Sequence, residues 1–212
     1  MLDNASATAG VDRRQRGRER DRARILAAAE ELFARQGFAG TSMQQLAAAA
    51  DFSVGKLYQH FRGKEAIFRD LLESRSRAML DVMRREAAGE GTALARLLRL
   101  LAAVTGHARD HGTFYEIYLR ENPANLEGLI ASVKQEAQDM VAQLLAAAIG
   151  QGELRAGEDP VLVAAMVVGA GDRVMDHLFL RPQPGDPRVV AGLIERLLID
   201  PLRPGSAEGR RP

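Results

Sequence analysis

The chain has 212 residues, 46% hydrophobic and 27% charged, a composition that excludes global disorder. It has no cysteine, so a disulfide scaffold, a thiolate metal site and a cysteine nucleophile are excluded. The net charge is +1, but residues 1–64 carry 11 Lys and Arg against 7 Asp and Glu, while residues 65–212 carry 18 against 21. A basic front on an acidic body points to a polyanionic partner for the front alone.

Residues 1–20 read as a flexible basic arm. Arg13, Arg14, Arg16, Arg18, Arg20, Arg22 and Arg24 follow almost in alternation, and a spacing of two does not make a helix face. Such an arm suits phosphates or a minor groove. A helical pattern begins at Arg22, where Ile25, Leu26, Ala29, Leu32 and Phe33 recur at three and four residues. Gly37 stands where a left-handed residue ends a helix. Thr41 and Ser42 open the next helix, with Gln44 and Gln45 three residues beyond them in capping-box spacing. Ser53 caps a third, short helix with Leu57 and Phe61 turned inward. Lys64 and Glu65 begin a long fourth helix.

Six of the ten aromatic residues lie at or before Phe68, and a small unit needs large side chains to fill its core. Residues 21–66 are therefore expected to form a compact subdomain, with residues 67–202 as a second domain and residues 203–212 as a disordered tail. The second part reads as helical throughout. Thr92 caps a segment carrying Leu94, Leu97, Leu98, Leu101 and Val104. Gly112 and Asn122–Pro123 bracket a short aromatic piece, and Leu126 to Ile149 forms a long amphipathic helix. Asp159–Pro160 caps a helix reaching about Leu180, apolar nearly all round and so expected to be buried. A last helix carries Val189, Val190, Leu193, Ile194, Leu197 and Leu198. The fold class is all-α: a three-helix N-terminal unit, then a larger helical unit. The longest apolar run, Val161 to Ala170, is too short to span a bilayer, and the N-terminus lacks an apolar signal segment, so a cytoplasmic location is expected.

Two short helices joined by a tight turn form a helix-turn-helix. The stretch Thr41-Ser42-Met43-Gln44-Gln45-Leu46-Ala47, then Ala50-Asp51-Phe52-Ser53-Val54-Gly55-Lys56-Leu57-Tyr58-Gln59-His60-Phe61 and Gly63-Lys64-Glu65, resembles the DNA-binding domain of the TetR family of bacterial regulators. The likeness covers about residues 22–70. It implies phosphate contacts at Thr41 and Lys64, and an aromatic pair at Tyr58 and His60 on the backbone side of the recognition helix, Val54 to His60. Ser42, Gln44, Gln45, Ser53, Gly55 and Lys56 would lie near the groove. Amides read adenine and lysine reads guanine, so Gln45 and Lys56 are candidate base readers. The family's turn usually has glycine followed by a small aliphatic residue, where this chain has Asp51 and Phe52. Lys56 stands at a position often held by a hydroxyl residue.

The resemblance implies a homodimer on a double-stranded operator, most simply a repressor released from a palindrome by a small molecule. The last two long helices would make the dimer interface, with Leu162, Met166, Gly169, Arg173, Leu193 and Leu197 contributing. The middle helices would enclose the effector, with Phe114, Tyr115, Tyr118, Met140, Leu144 and Met175 as apolar and aromatic walls and Asp172, Asp176 and His177 as polar groups. A competing reading is a helical small-molecule-binding protein or enzyme with a degenerate front end. His107 and His111 stand four apart, a metal-compatible spacing with Glu116 nearby, but they equally suit a helix C-terminus. No metal, cofactor or catalytic residue is assigned.

Overall fold

The computed structural model describes residues 4–121, 126–180 and 185–205. All regular elements among them are helical: α1 (Asn4–Gln36), α2 (Met43–Ala49), α3 (Val54–His60), α4 (Lys64–Ala88), α5 (Ala93–Asp110), α6 (Gly112–Glu121), α7 (Glu127–Gly150), α8 (Pro160–Phe179) and α9 (Arg188–Ile194). The chain divides into two compact units, Met1–Glu73 and Ser74–Pro212, so the first runs beyond the expected residue 66 into α4.

In the first unit, α1 begins at Asn4 and not at Arg22. The expected flexible arm is, over residues 4–20, the first half of this helix. Alanine and arginine are strong helix formers, and an exposed helix needs no apolar face to take up their preference. Gly37 adopts φ 73° and donates its N–H to the Phe33 carbonyl, ending α1 in the left-handed cap expected there. Ile25, Phe33, Leu46, Leu57, Ile67 and Leu71 are fully buried. Phe33, Phe38 and Phe68 pack as a triangle with centroid separations of 5.4, 5.4 and 5.8 Å, the tilted arrangements that ring quadrupoles prefer.

The second unit is built on α5, α7 and α8, with α9 against them. Leu97, Leu100, Val141, Leu145, Ala148, Ala164, Val167 and Ile194 form one continuous aliphatic core. The α5 N-terminus is capped three times over: Thr92 accepts from Ala95 N–H, Gln151 from Ala93 N–H and Glu153 from Leu94 N–H. α8 starts as expected, with the Asp159 carboxylate accepting from Val161 N–H at 2.8 Å and Pro160 in the first turn. Its expected all-round burial is corrected. Ala164, Val167, Leu178 and Phe179 are buried, while Val161, Leu162, Ala165, Met166, Gly169 and Ala170 are exposed.

After α9 the helix widens into a π-helical turn, Glu195–Ile199. Asp200 N–H bonds the Glu195 carbonyl five residues back. Ile194 and Ile199 are both buried, although five residues apart. Asp200–Leu202 then forms a short tight turn, held where Arg155 N–H donates to the Leu202 carbonyl at 2.7 Å. Residues 206–212 of the expected tail lie outside the described residues. Among those described, no helix is long and apolar enough to cross a membrane.

Candidate nucleic-acid interface

The α2–turn–α3 segment is set by its caps. Ser42 Oγ accepts from Gln45 N–H at 3.2 Å and Gln45 Oε1 accepts from Ser42 N–H at 2.8 Å, the reciprocal capping box the sequence predicts. Gln36 Nε2 also donates to Gln45 Oε1, at 3.1 Å. The amide oxygen of Gln45 is therefore committed to the cap. An adenine contact needs both ends of the amide, so only the NH2 end of Gln45 remains as a reader. Gln44 is exposed beside it.

Thr41 is buried, and its hydroxyl donates to the Gly37 carbonyl at 2.8 Å. It secures the end of α1. Lys64 Nζ donates to the carbonyls of Phe38 at 2.8 Å and Thr41 at 3.1 Å and sits over the Phe38 ring. The ammonium thus fastens the loop between α1 and α2, because carbonyls clustered past a helix C-terminus attract a cation. In this structure it is a clamp on that loop.

Ser53 caps α3, accepting from Lys56 N–H at 3.2 Å. Gly55 and Tyr58 are exposed and Val54 is half-buried. A Cβ at Gly55 would meet no atom of the chain. Packing does not require glycine there, whereas a close-approaching duplex would. His60 is mostly enclosed; its Nε2 lies 3.6 Å from an Asp21 oxygen, so it points at α1.

The turn solves its two unusual residues locally. Asp51 takes φ 57°, the left-handed region that Asp tolerates better than most residues. Arg24 donates to the Ala50 carbonyl at 2.9 Å and to the Asp51 carboxylate at 3.3 Å. The same guanidinium lies 4.8 Å from the Phe52 ring centroid. Arg22 pairs with Asp70 and lies over Phe61. Arg22 and Arg24, expected in a DNA-contacting arm, thus brace the unit, while Arg18 and Arg20 are exposed. Sequence reasoning missed Asp21 and Arg24 as partners of the turn, because a pairing across thirty residues leaves no local periodic signal.

In the second unit the expected effector residues divide. Tyr115 stacks on Phe179 with ring centroids 5.4 Å apart, and its hydroxyl meets the Met79 sulfur at 3.5 Å. Burial pushes that hydroxyl up to about 12. Tyr118 stacks on Phe114 and is also raised by burial. His107, its ring 4.4 Å from His111, is lowered to about 4 by burial, with the His111 and Arg75 charges adding. Asp172 pairs with Lys134 at 2.7 Å and Asp176 with Arg173 at 3.4 Å. Leu144 is in the core, Met140 and Met175 pack half-buried against it, and His177 is exposed, away from the enclosed role expected of it. Among the described residues no cluster of three or more His, Asp or Glu could hold a metal.

Of the expected dimer residues, Leu162, Met166 and Leu197 are 64, 58 and 68% exposed. Gly169 and Arg173 are exposed and Leu193 is half-buried.

Residues 25–71 match the family model for bacterial regulatory proteins of the tetR family. The uncharacterized HTH-type transcriptional regulator YerO of Bacillus subtilis is 29% identical over 159 residues, 72% of this chain; the match spans 55% of YerO. Two solved structures share the fold over most of both chains. SmeT, the repressor of the Stenotrophomonas maltophilia multidrug efflux pump SmeDEF, is 22% identical with a TM-score of 0.74, covering 90% of this chain and 95% of SmeT. FadR from Bacillus subtilis, solved in complex with stearoyl-CoA, is 20% identical with a TM-score of 0.72, covering 84% and 97%. Residues 25–71, which hold the capped helix-turn-helix, form a DNA-binding domain of the TetR family of bacterial regulatory proteins, and the chain as a whole is similar to transcriptional regulators of that family.

Proposed function

We propose that this chain is a homodimeric repressor that reads a palindromic operator and leaves it when a small molecule binds its second unit. The observation that carries the reading is the α2–turn–α3 segment, whose polar residues Gln44, Ser53, Gly55 and Tyr58 stay exposed while Leu46 and Leu57 are buried. One such unit reads a few base pairs. Two, on half-sites about 34 Å apart, multiply that specificity.

The apolar surface of α8 and of the π-helical turn after α9 supports the dimer. Val161, Leu162, Met166 and Leu197 are large, exposed and unpartnered within one chain, and Ala165 and Gly169 allow close helix approach. A Leu162→Glu, Leu197→Glu double variant is expected to sediment as a folded monomer and to lose operator binding. Phe114, Tyr115, Tyr118 and Met175 support an apolar or aromatic effector, with Tyr115 and His107 offering neutral hydrogen-bonding groups. FadR, which shares this fold, holds an acyl-CoA, and SmeT governs an efflux pump. Both fit a second unit built for apolar molecules. An effector switches the protein only if it binds the DNA-competent and DNA-incompetent conformers unequally.

The test is selection of bound duplexes from a random-sequence pool, followed by nuclease footprinting on the winner. An enriched inverted repeat protected by a dimer is expected. Enrichment of no sequence, with folded dimer at physiological salt, would refute the reading.

A further inference from the structure

Asp51, Phe52 and Lys56, the three residues at which the turn and recognition helix depart from the family's pattern, fall in one cluster. Lys56 Nζ lies 3.0 Å from Asp21 Oδ2 and 4.1 Å from the centre of the Phe52 ring. His60 Nε2 is 3.6 Å from the same Asp21 oxygen, and its ring stacks on Phe52. Arg24 covers Phe52 and pairs with Asp51. One aromatic ring therefore carries three basic side chains, with a carboxylate at each end. The hydrogen bond from Lys56 holds the Asp21 carboxyl below the usual carboxylate range.

We propose that Asp21 sets operator affinity: it and Phe52 hold the Lys56 ammonium in reserve, and a matching operator must draw Lys56 away from them into the interface. This rests on the reading of α3 as the recognition helix. The holding contacts are both partly exposed, and each is worth only a few-fold in equilibrium. On non-cognate DNA, α3 meets no matched base edge. Moving Lys56 from a carboxylate to a phosphate then exchanges one anion for another with little gain. The ammonium stays on Asp21, and the interface loses one cation. On a cognate half-site, Gly55 lets the helix approach closely, and a guanine presents O6 and N7 together. Lys56 moves to that edge, and His60 remains beside Asp21. Because the matched half-site must draw Lys56 off Asp21 while other DNA leaves that contact intact, Asp21 lowers affinity for the right DNA more than for the wrong one.

The probes are the duplex enriched from the random pool by the native protein and a shuffled duplex of the same composition, titrated by fluorescence anisotropy over a salt series. Asp21→Asn is expected to tighten the enriched duplex about three- to fivefold. The shuffled duplex tightens less, so the specificity ratio rises. In a Lys56→Met background, Asp21→Asn leaves the ratio unchanged; its effect on His60 is common to both backgrounds and cancels. Equal tightening of both duplexes, or a ratio shift that survives without Lys56, overturns the role of Asp21. If Lys56→Met alone changes neither affinity, Lys56 is outside the interface and the proposal falls while the repressor reading stands. If no duplex is enriched, the repressor reading falls and takes the proposal with it.

Discussion

The two units of this chain bury different chemistry. In Met1–Glu73 the centre is an aromatic triangle, Phe33, Phe38 and Phe68, surrounded by a few aliphatic side chains. In Ser74–Pro212 the core is a continuous sheet of Leu, Val, Ile and Ala between long helices. Size accounts for the contrast. A small unit has little interior, so each buried residue must remove much surface from water, and phenylalanine does so best. Long helices supply many positions, and small aliphatic residues let them approach. The outward faces are reversed: the small unit shows Gln44, Ser53 and Gly55, the large one Leu162, Met166 and Leu197.

The sharpest way to break this comparison is to empty each core in turn. Phe33→Ala removes a fully enclosed ring and is expected to cost about 3–5 kcal/mol, against about 2–4 kcal/mol for Leu97→Ala in the second unit. If the units unfold separately, Phe33→Ala splits thermal unfolding followed by circular dichroism into two steps and lowers only the first. A single transition lowered equally by both variants would mean that the units share one cooperative core.

Acid should weaken the second unit selectively. His107 titrates near 6.5 when unfolded and about 4 when folded, so between those values the unfolded chain binds more protons. Stability is full above about pH 6.5 and falls as the pH drops toward 4. After discounting for the half-exposed ring, the loss is about 1–2 kcal/mol. Denaturant melts at pH 7 and pH 4.5 measure it, and His107→Gln should flatten this part of the dependence.

The turn in the first unit responds to backbone shape. Asp51→Val, with a β-branched residue forced to positive φ, is expected to cost about 1–2 kcal/mol. Asp51→Gly keeps the geometry at near-neutral cost. Smallest is Gly55→Ala: stability rises by a few tenths to about 1 kcal/mol, while affinity for the selected duplex falls. Unchanged affinity would show that DNA does not approach the backbone at Gly55.

What the sequence disclosed and what it hid follow one physical line. Caps are local, so Ser42, Gln45, Ser53, Thr92 and Asp159 were readable from spacing alone. Helical periodicity revealed α5, α7 and α8. It did not reveal that one side of α8 is exposed, because an apolar residue left on the surface and one facing the core look alike in a sequence. The start of α1 was misread because exposed helices need no periodic face. Roles that depend on a distant residue stayed hidden: Lys64 clamping the Phe38–Thr41 loop, Arg24 holding Asp51, and Asp21 facing Lys56 and His60. Thr41 and Lys64 carried the right residue types for phosphate contacts, and neighbouring carbonyls engage their polar atoms.

The widened turn at Glu195–Ile199 has a bearing on how this molecule could change over generations. In an ordinary α-helix, residues five apart lie about 140° from alignment, yet Ile194 and Ile199 are both buried here. The turn absorbs one surplus residue while the helix before it and the chain after it keep their seats. Removing one exposed residue, such as Arg196, should tighten the loop of chain to α geometry and leave Val190, Ile194 and Ile199 where they are. The segment is therefore expected to tolerate the loss of one residue, which would redraw the outer surface that carries Leu197 without repacking Ile194 and Ile199 beneath.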